Sequence, residues 1–216
     1  MNANALAKAL PDPQPKASSA RRKAAGTMKR LERNDRRVPR AADVYDTACS
    51  DGVRPRLSER VERSPLARYA AALEIGCSIG VLTAALGSRC DALLGLDVAE
   101  AALAQARQRC RDLSHIRLLR AQVPGEWPDG TFDLILLSEV VYYLDAADVA
   151  RLAGRVRASL RPGGDVVLVH WTGETHYPLT GDEAADLFIR ETRDVLAVDR
   201  QVREAEYRLD VLRALA

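Results

Sequence analysis

From position 71 onward, apolar residues follow two rhythms. Short, nearly unbroken apolar runs, "AALEI", "ALLGLD", "HIRLLR", "FDLILLS" and "DVVLVHW", recur along the chain. Between most of them lie longer stretches with helical spacing: "VLTAALGSR", "VAEAALAQARQRC" and "AADVARLAGRVRASL". The second is alanine-rich, with Glu100 in its first turn and arginines toward its end, as a stable helix prefers. The third is amphipathic and is expected to stop at Pro162-Gly163-Gly164. Strands that are apolar on both sides and alternate with helices predict a parallel sheet covered on both faces. The segment "TRDVLAVDRQVREAEYRLDVL" differs. It holds two strand-like runs about "QVREAE" with no helix-length stretch between them. That predicts a closing antiparallel hairpin. No internal repeat is visible. The expected class is therefore α/β, mostly parallel, with a C-terminal antiparallel hairpin and helices on both faces.

The region ahead of position 71 changes this picture. Residues 1–40 are Ala, Pro, Lys and Arg with few large apolar side chains. Such a stretch buries too little surface to offset its ordering entropy, so a disordered basic tail is expected. It carries eleven Lys or Arg against three Asp or Glu, so the chain's net +2 leaves −6 for the remainder. All four lysines fall in it, at 8, 16, 23 and 29. Being basic and poor in acids, it also resembles an organellar transit peptide. It is the only hint of a nucleic-acid partner, and it lacks aromatic interleaving or a fold motif behind it. Residues 41–70 read as an N-terminal cap or lid segment and 71–216 as the main domain.

Composition narrows the class further. Hydrophobic residues make up 47% and aromatics 5%, so the core is built of Ala, Leu and Val. No apolar run approaches the roughly 20 residues of a membrane span. Cysteines at 49, 77, 90 and 110 form no C-x-x-C, and the histidines at 115, 170 and 176 lie far from them in sequence. Neither a metal site nor a disulfide framework is expected. Reduced thiols and a cytoplasmic location are the default, and a monomer or weak dimer is expected.

The chemistry centres on "ALEIGCSIGVL". Gly76-Cys77-Ser78-Ile79-Gly80 fits G-x-S-x-G, the hydrolase elbow. That motif needs an oxyanion-hole loop upstream, whereas the chain offers the proline-broken "ACSDGVRPRLSERVERSP". Cys77 has no basic neighbour to activate it as a nucleophile. A cofactor turn explains more. A first strand runs into a glycine turn that opens a helix. Asp97 closes "LLGLD" 21 residues after Gly76, close to the distance at which an acid meets ribose hydroxyls. The three-glycine G-x-G-x-x-G of dinucleotide binders is missing. A nicotinamide-dependent oxidoreductase is therefore the weaker cofactor reading.

"LEIGCSIG" resembles the first motif, E/D-x-G-x-G-x-G, of class I S-adenosylmethionine-dependent methyltransferases. "FDLILLSEVVYYL" resembles their fourth motif and "LRPGGDVVLVHW" the entry to their fifth strand. The likeness covers 71 to about 171. "LEIGCSIGVLT", "SEVVYYL" and "HYPLTGDE" further resemble the nodulation protein S-like N-methyltransferases. The resemblance implies a Rossmann-like sheet, S-adenosyl-L-methionine as cofactor, and a small acceptor. That acceptor is expected to be an amine or hydroxyl of a sugar or sugar-derived metabolite. Two departures stand out. Ser78 replaces the middle glycine, which suits serine if its dihedrals are ordinary. Residues 41–70 hold only Tyr45 and Tyr69 where relatives carry an aromatic-rich capping helix. The latter keeps open a second reading, an inactive cofactor-binding partner protein.

Carried onto this chain, the resemblance assigns the cofactor to Glu74, Gly76, Cys77, Ser78, Gly80, Asp97, Val98, Gln122, Val123, Ser138 and Glu139. Asp97 takes the ribose hydroxyls, Glu74 bears on the amino-acid end, and Gln122 and Val123 follow the third strand, where adenine sits. Cys77 is an apolar wall, and Trp127 anchors a surface loop. Glu139 leads the catalytic candidates, followed by His170, His176 and Tyr143. Glu139, Tyr142 and Tyr143 after strand four, and His170, Trp171, His176 and Tyr177 after strand five, are expected to share one mouth.

Overall fold

The computed structural model describes residues 68–215. The predicted tail (1–40) and most of the cap segment (41–67) lie outside them. In chain order the elements are β1 (Ala72–Ile75), α1 (Val81–Gly87), β2 (Leu93–Asp97), α2 (Glu100–Arg109), β3 (Ile116–Arg120) and β4 (Phe132–Ser138). Then come a short 3₁₀ turn (Val141–Tyr143), α3 (Ala146–Ser159), β5 (Leu160–Trp171), α4 (Gly181–Thr192), β6 (Leu196–Arg203) and β7 (Tyr207–Ala214).

The seven strands form one sheet in the order β3-β2-β1-β4-β5-β7-β6. Strands β3 through β5 are parallel to their neighbours, while β7 runs antiparallel to both β5 and β6. The apolar runs explain the parallel part. In β4, Leu134 and Leu136 face one core, and Ile135 and Leu137 face the other. On the second side lie Val149, Leu152, Ala153 and Val156 of α3 with Ala184, Leu187 and Phe188 of α4. Leu82 and Leu86 of α1 cover the first.

Three local features depart from the sequence expectation. Pro162-Gly163-Gly164 does not separate helix from strand. Helix α3 already ends at Ser159, and β5 begins at Leu160 and runs through the glycines. The irregularity shows instead as a register shift against β4. Helix α4 lies in a stretch for which no helix is expected. Its signal was present: Thr180 and Glu183 form a capping box ahead of an apolar Ala184, Ala185, Leu187, Phe188 stripe. Finally, Arg68–Ala70, the end of the expected cap segment, pack directly onto the sheet domain. Tyr69 is fully buried, bridges to Cys90, and donates from its hydroxyl to Asp165 at 2.9 Å. Among the described residues no helix is long and apolar enough to cross a membrane.

The chain order reverses between β1 and β4. Connections from these adjacent strands leave toward opposite faces, which opens a crevice at their carboxyl ends. Both predicted motifs end there.

Candidate active site

One wall of the crevice is the turn after β1. Gly76 has φ +84, and a Cβ there would collide with the Ser138 carbonyl oxygen at the end of β4. Gly80 has φ +76, and its Cβ would lie 2.8 Å from that of Ala106 on α2. Both positions thus demand glycine. The expectation of ordinary dihedrals at Ser78 is not met, since φ there is +47. A left-handed L-residue costs roughly 1–2 kcal/mol. Backbone bonds hold the turn against this strain. Gly76 and Cys77 N–H both donate to Leu96 O, at 2.9 and 3.0 Å. The Arg109 guanidinium donates to Ile79 O, a tether across 30 positions that leaves no signature in local sequence.

Asp97 ends β2 beside this turn. Its Oδ2 accepts from Ser78 N–H at 2.9 Å and its Oδ1 from Ala99 N–H at 2.8 Å. The carboxylate is braced, and each oxygen retains capacity for a further bond. Val98 beside it stands 51% exposed. Cys77 is buried, and burial pushes its thiol well above the usual range. Buried and protonated, it lacks the thiolate character a nucleophile needs. Gln122 is exposed, with its N–H donating to Glu126 at 2.8 Å, while Val123 packs partly into the core. Trp127 packs against that core and donates from Nε1 to Ser159 Oγ at 3.3 Å.

Glu74 is fully buried on β1. Neither carboxyl oxygen has a hydrogen-bond partner among the described residues, and Thr83 Oγ1, nearby on α1, is equally unpaired. Burial raises its pKa from 4.5 to about 7. The Thr83 hydroxyl, close enough to pull the Glu74 value down though not in hydrogen-bond geometry with either oxygen, offsets this in part, and the Asp97 charge adds to it. Nothing in the sequence points to Thr83, because only the packing of α1 on β1 brings it to Glu74.

The other wall follows β4 and β5. Glu139 takes φ +54, a second non-glycine residue in the left-handed region. Its N–H donates to Val169 O at 2.9 Å. Its Oε1 accepts from Trp171 N–H at 2.9 Å and its Oε2 from the Tyr142 hydroxyl at 2.5 Å. Burial raises its pKa to about 7, against the lowering pull of these two donors. Tyr142 stacks on Tyr177, with ring centroids 5.2 Å apart, and meets Tyr143 and His170 edge-on. Tyr143 and Tyr177 hydroxyls lie 3.4 Å apart.

His170 is fully buried, and burial lowers its pKa to about 3. Its Nε2 accepts from Val141 N–H at 3.4 Å. It is therefore neutral and holds the 3₁₀ turn in place. His176 is exposed in the loop before α4. Glu139, Tyr142, Tyr143, His170, Trp171 and Tyr177 thus stand together through these hydrogen bonds and ring contacts, while His176 is solvent-exposed.

Comparison with known proteins agrees with this geometry. A family model described as a methyltransferase domain matches residues 73–166. Nodulation protein S of Sinorhizobium fredii is 38% identical over 97 residues, which cover 44% of this chain and 45% of that protein. The chain thus spans less than half the length of the curated relatives it matches. An inferred methyltransferase from Pseudomonas syringae, of known crystal structure, is 35% identical. The match covers 74% of this chain and 97% of that one, with a TM-score of 0.64. The N-methyltransferase NodS of Bradyrhizobium japonicum, solved with S-adenosyl-L-homocysteine, shares the fold at a TM-score of 0.68 and 22% identity. There the coverage is 88% of this chain and 99% of that one. With glycine turn, acid and sheet order agreeing, the chain belongs to the class I S-adenosylmethionine-dependent methyltransferases.

Proposed function

We propose that this protein transfers a methyl group from S-adenosyl-L-methionine to a small acceptor, an amine or hydroxyl of a sugar or sugar-derived metabolite. The observation that carries the reading is the braced carboxylate of Asp97 beside a turn pressed against β4. No side chain fits between Gly76 and Ser138, so backbone lines the crevice where a ligand would approach. The residues present fit the cofactor. Asp97 would accept from the ribose hydroxyls, and Gly76, Ser78 and Gly80 would present backbone to its amino-acid half. Glu74, a buried carboxyl with both oxygens unpaired, would bear on the ammonium end. Cys77, Val98 and Val123 would supply apolar contact and Gln122 a polar one. When bound, the cofactor supplies an electrophilic methyl on a cationic sulfur, which an acceptor lone pair can displace.

The acceptor side falls to Glu139 and its aromatic neighbours. An amine arrives protonated and must lose a proton before its lone pair can react. With a pKa of about 7, Glu139 is partly ionised at neutral pH and can take that proton. Its left-handed backbone, sited at a strand end over the crevice, is where strain accompanies function. Tyr143 and Tyr177 would line the acceptor. His170 holds Val141 and does not titrate near neutrality. His176 would stand at the rim.

Calorimetry tests the cofactor. S-adenosyl-L-homocysteine should bind and NAD should not. Asp97→Asn should weaken binding at least about tenfold, the worth of one charge-assisted bond. Unchanged affinity in that variant would end the assignment. Labelled-methyl transfer to glucosamine tests the acceptor. Glu139→Gln should slow it by about 10²–10⁴-fold with cofactor affinity retained. If wild-type protein binds cofactor yet methylates neither glucosamine nor its oligomers, the sugar acceptor is wrong.

A further inference from the structure

We infer that Tyr142 is a positioning residue for Glu139: its phenol hydroxyl holds the carboxylate toward the acceptor and keeps it ionisable. The inference rests on the reading of Glu139 as the group that takes the acceptor's proton.

The geometry is specific. Tyr142 lies three residues beyond Glu139, on the 3₁₀ turn, and its hydroxyl reaches Oε2 at 2.5 Å. Three aromatic neighbours fix the direction of the ring. Tyr177 stacks beneath it within 9° of parallel, and Tyr143 and His170 meet it edge-on. Only 4% of the residue is exposed, so the hydroxyl has no competing water shell. Burial and the adjoining Glu139 both push the phenol's own pKa upward. The proton therefore stays on Tyr142, which donates and does not relay.

The consequence follows from charge. A half-buried carboxylate with no donors would be neutral at physiological pH, because desolvation penalises the ionised form. Two donors oppose that penalty: Tyr142 and the Trp171 N–H. The Trp171 donor is main chain and cannot be varied by side-chain change. Tyr142 is thus the adjustable one. Glu139, itself left-handed with φ +54, meets both donors at once, one on each carboxyl oxygen.

The test reads Glu139 directly and needs no acceptor. Full-length protein carrying ¹³C-labelled glutamate is titrated by NMR, with Glu139→Gln identifying the signal. The wild-type midpoint should fall near 7. Tyr142→Phe keeps the ring and its stacking but removes the donor, and it should raise the midpoint by about one pH unit. Fluorotyrosine at position 142, a more acidic donor, should lower it. Tyr177→Leu removes the stack but not the donor, so a role in packing alone would move the midpoint in this variant as much as in Tyr142→Phe. An unmoved midpoint in Tyr142→Phe, or equal shifts in Tyr142→Phe and Tyr177→Leu, overturns the inference. The titration reads the hydrogen bond, whereas glucosamine methylation by Glu139→Gln reads proton transfer, so failure of one is distinguishable from failure of the other.

Discussion

Glu74→Gln should change how stability responds to pH. The carboxyl is fully buried, and neither oxygen has a partner among the described residues. Burial raises its pKa from 4.5 in the unfolded chain to about 7 in the fold. The native state therefore holds a proton that the unfolded state has lost across this window. The stabilising contribution is fully present below about pH 4.5 and disappears as pH rises through about 7. The shift is worth roughly 3 kcal/mol in total, since each unit carries about 1.4 kcal/mol. Glutamine keeps the shape and cannot ionise. Its amide also lacks partners at this spot, but that cost does not depend on pH. Urea unfolding of both proteins at pH 5, 6, 7 and 8 gives their stability difference at each pH. Glu139 also titrates near 7, but it is present in both proteins and cancels. The wild type should lose most of the roughly 3 kcal/mol relative to Glu74→Gln between pH 5 and 8. A difference that stays constant with pH would refute the reasoning, and would mean that Glu74 is paired when ionised.

Three further outcomes follow from the turn and the closing hairpin. Ser78→Gly removes a Cβ from a left-handed residue and should raise stability by up to about 1 kcal/mol after glycine's entropy cost, read as a higher thermal midpoint; a lower midpoint would contradict the strain at this position. Gly76→Ala should cost at least about 1–3 kcal/mol and abolish S-adenosyl-L-homocysteine binding, because the new methyl meets the Ser138 carbonyl; calorimetry and circular dichroism together read both effects. Arg208→Met leaves Asp210, 0% exposed, without its 2.8 Å ion pair. It should destabilise by about 3–5 kcal/mol in chemical denaturation.

Much of this architecture was legible in the chain. The apolar runs at 72–75, 93–97 and 132–138 are strands, because a parallel sheet is covered on both faces and tolerates no polar alternation. The pairing of Gly76 with Asp97 was readable because both lie at the ends of adjacent strands, where spacing along the chain translates into proximity. The hairpin after 195 was readable for a similar reason. Helix α4 is written in its capping box, Thr180 with Glu183, and in the apolar stripe that follows.

Other properties were decided only by the folded molecule, because they depend on partners distant in sequence. Nothing local says that Ser78 must turn left-handed. Its neighbours in the turn are held from far along the chain, Gly76 against Ser138, 62 positions away, and Gly80 against Ala106. Nothing local says that His170 is a neutral strut and not a base. Its burial comes from the packing of β5 against β4, β7 and the 3₁₀ turn, which strips the water an imidazolium needs. Sequence points to Glu139 through its place after strand four and the resemblance of the motif around it. Its basicity comes from desolvation set against two donors, and one of these belongs to the neighbouring strand. Sequence determines which groups are present and which strand ends they occupy. The tertiary structure decides how much water each retains and which dipoles it meets, and those two quantities set protonation and strain.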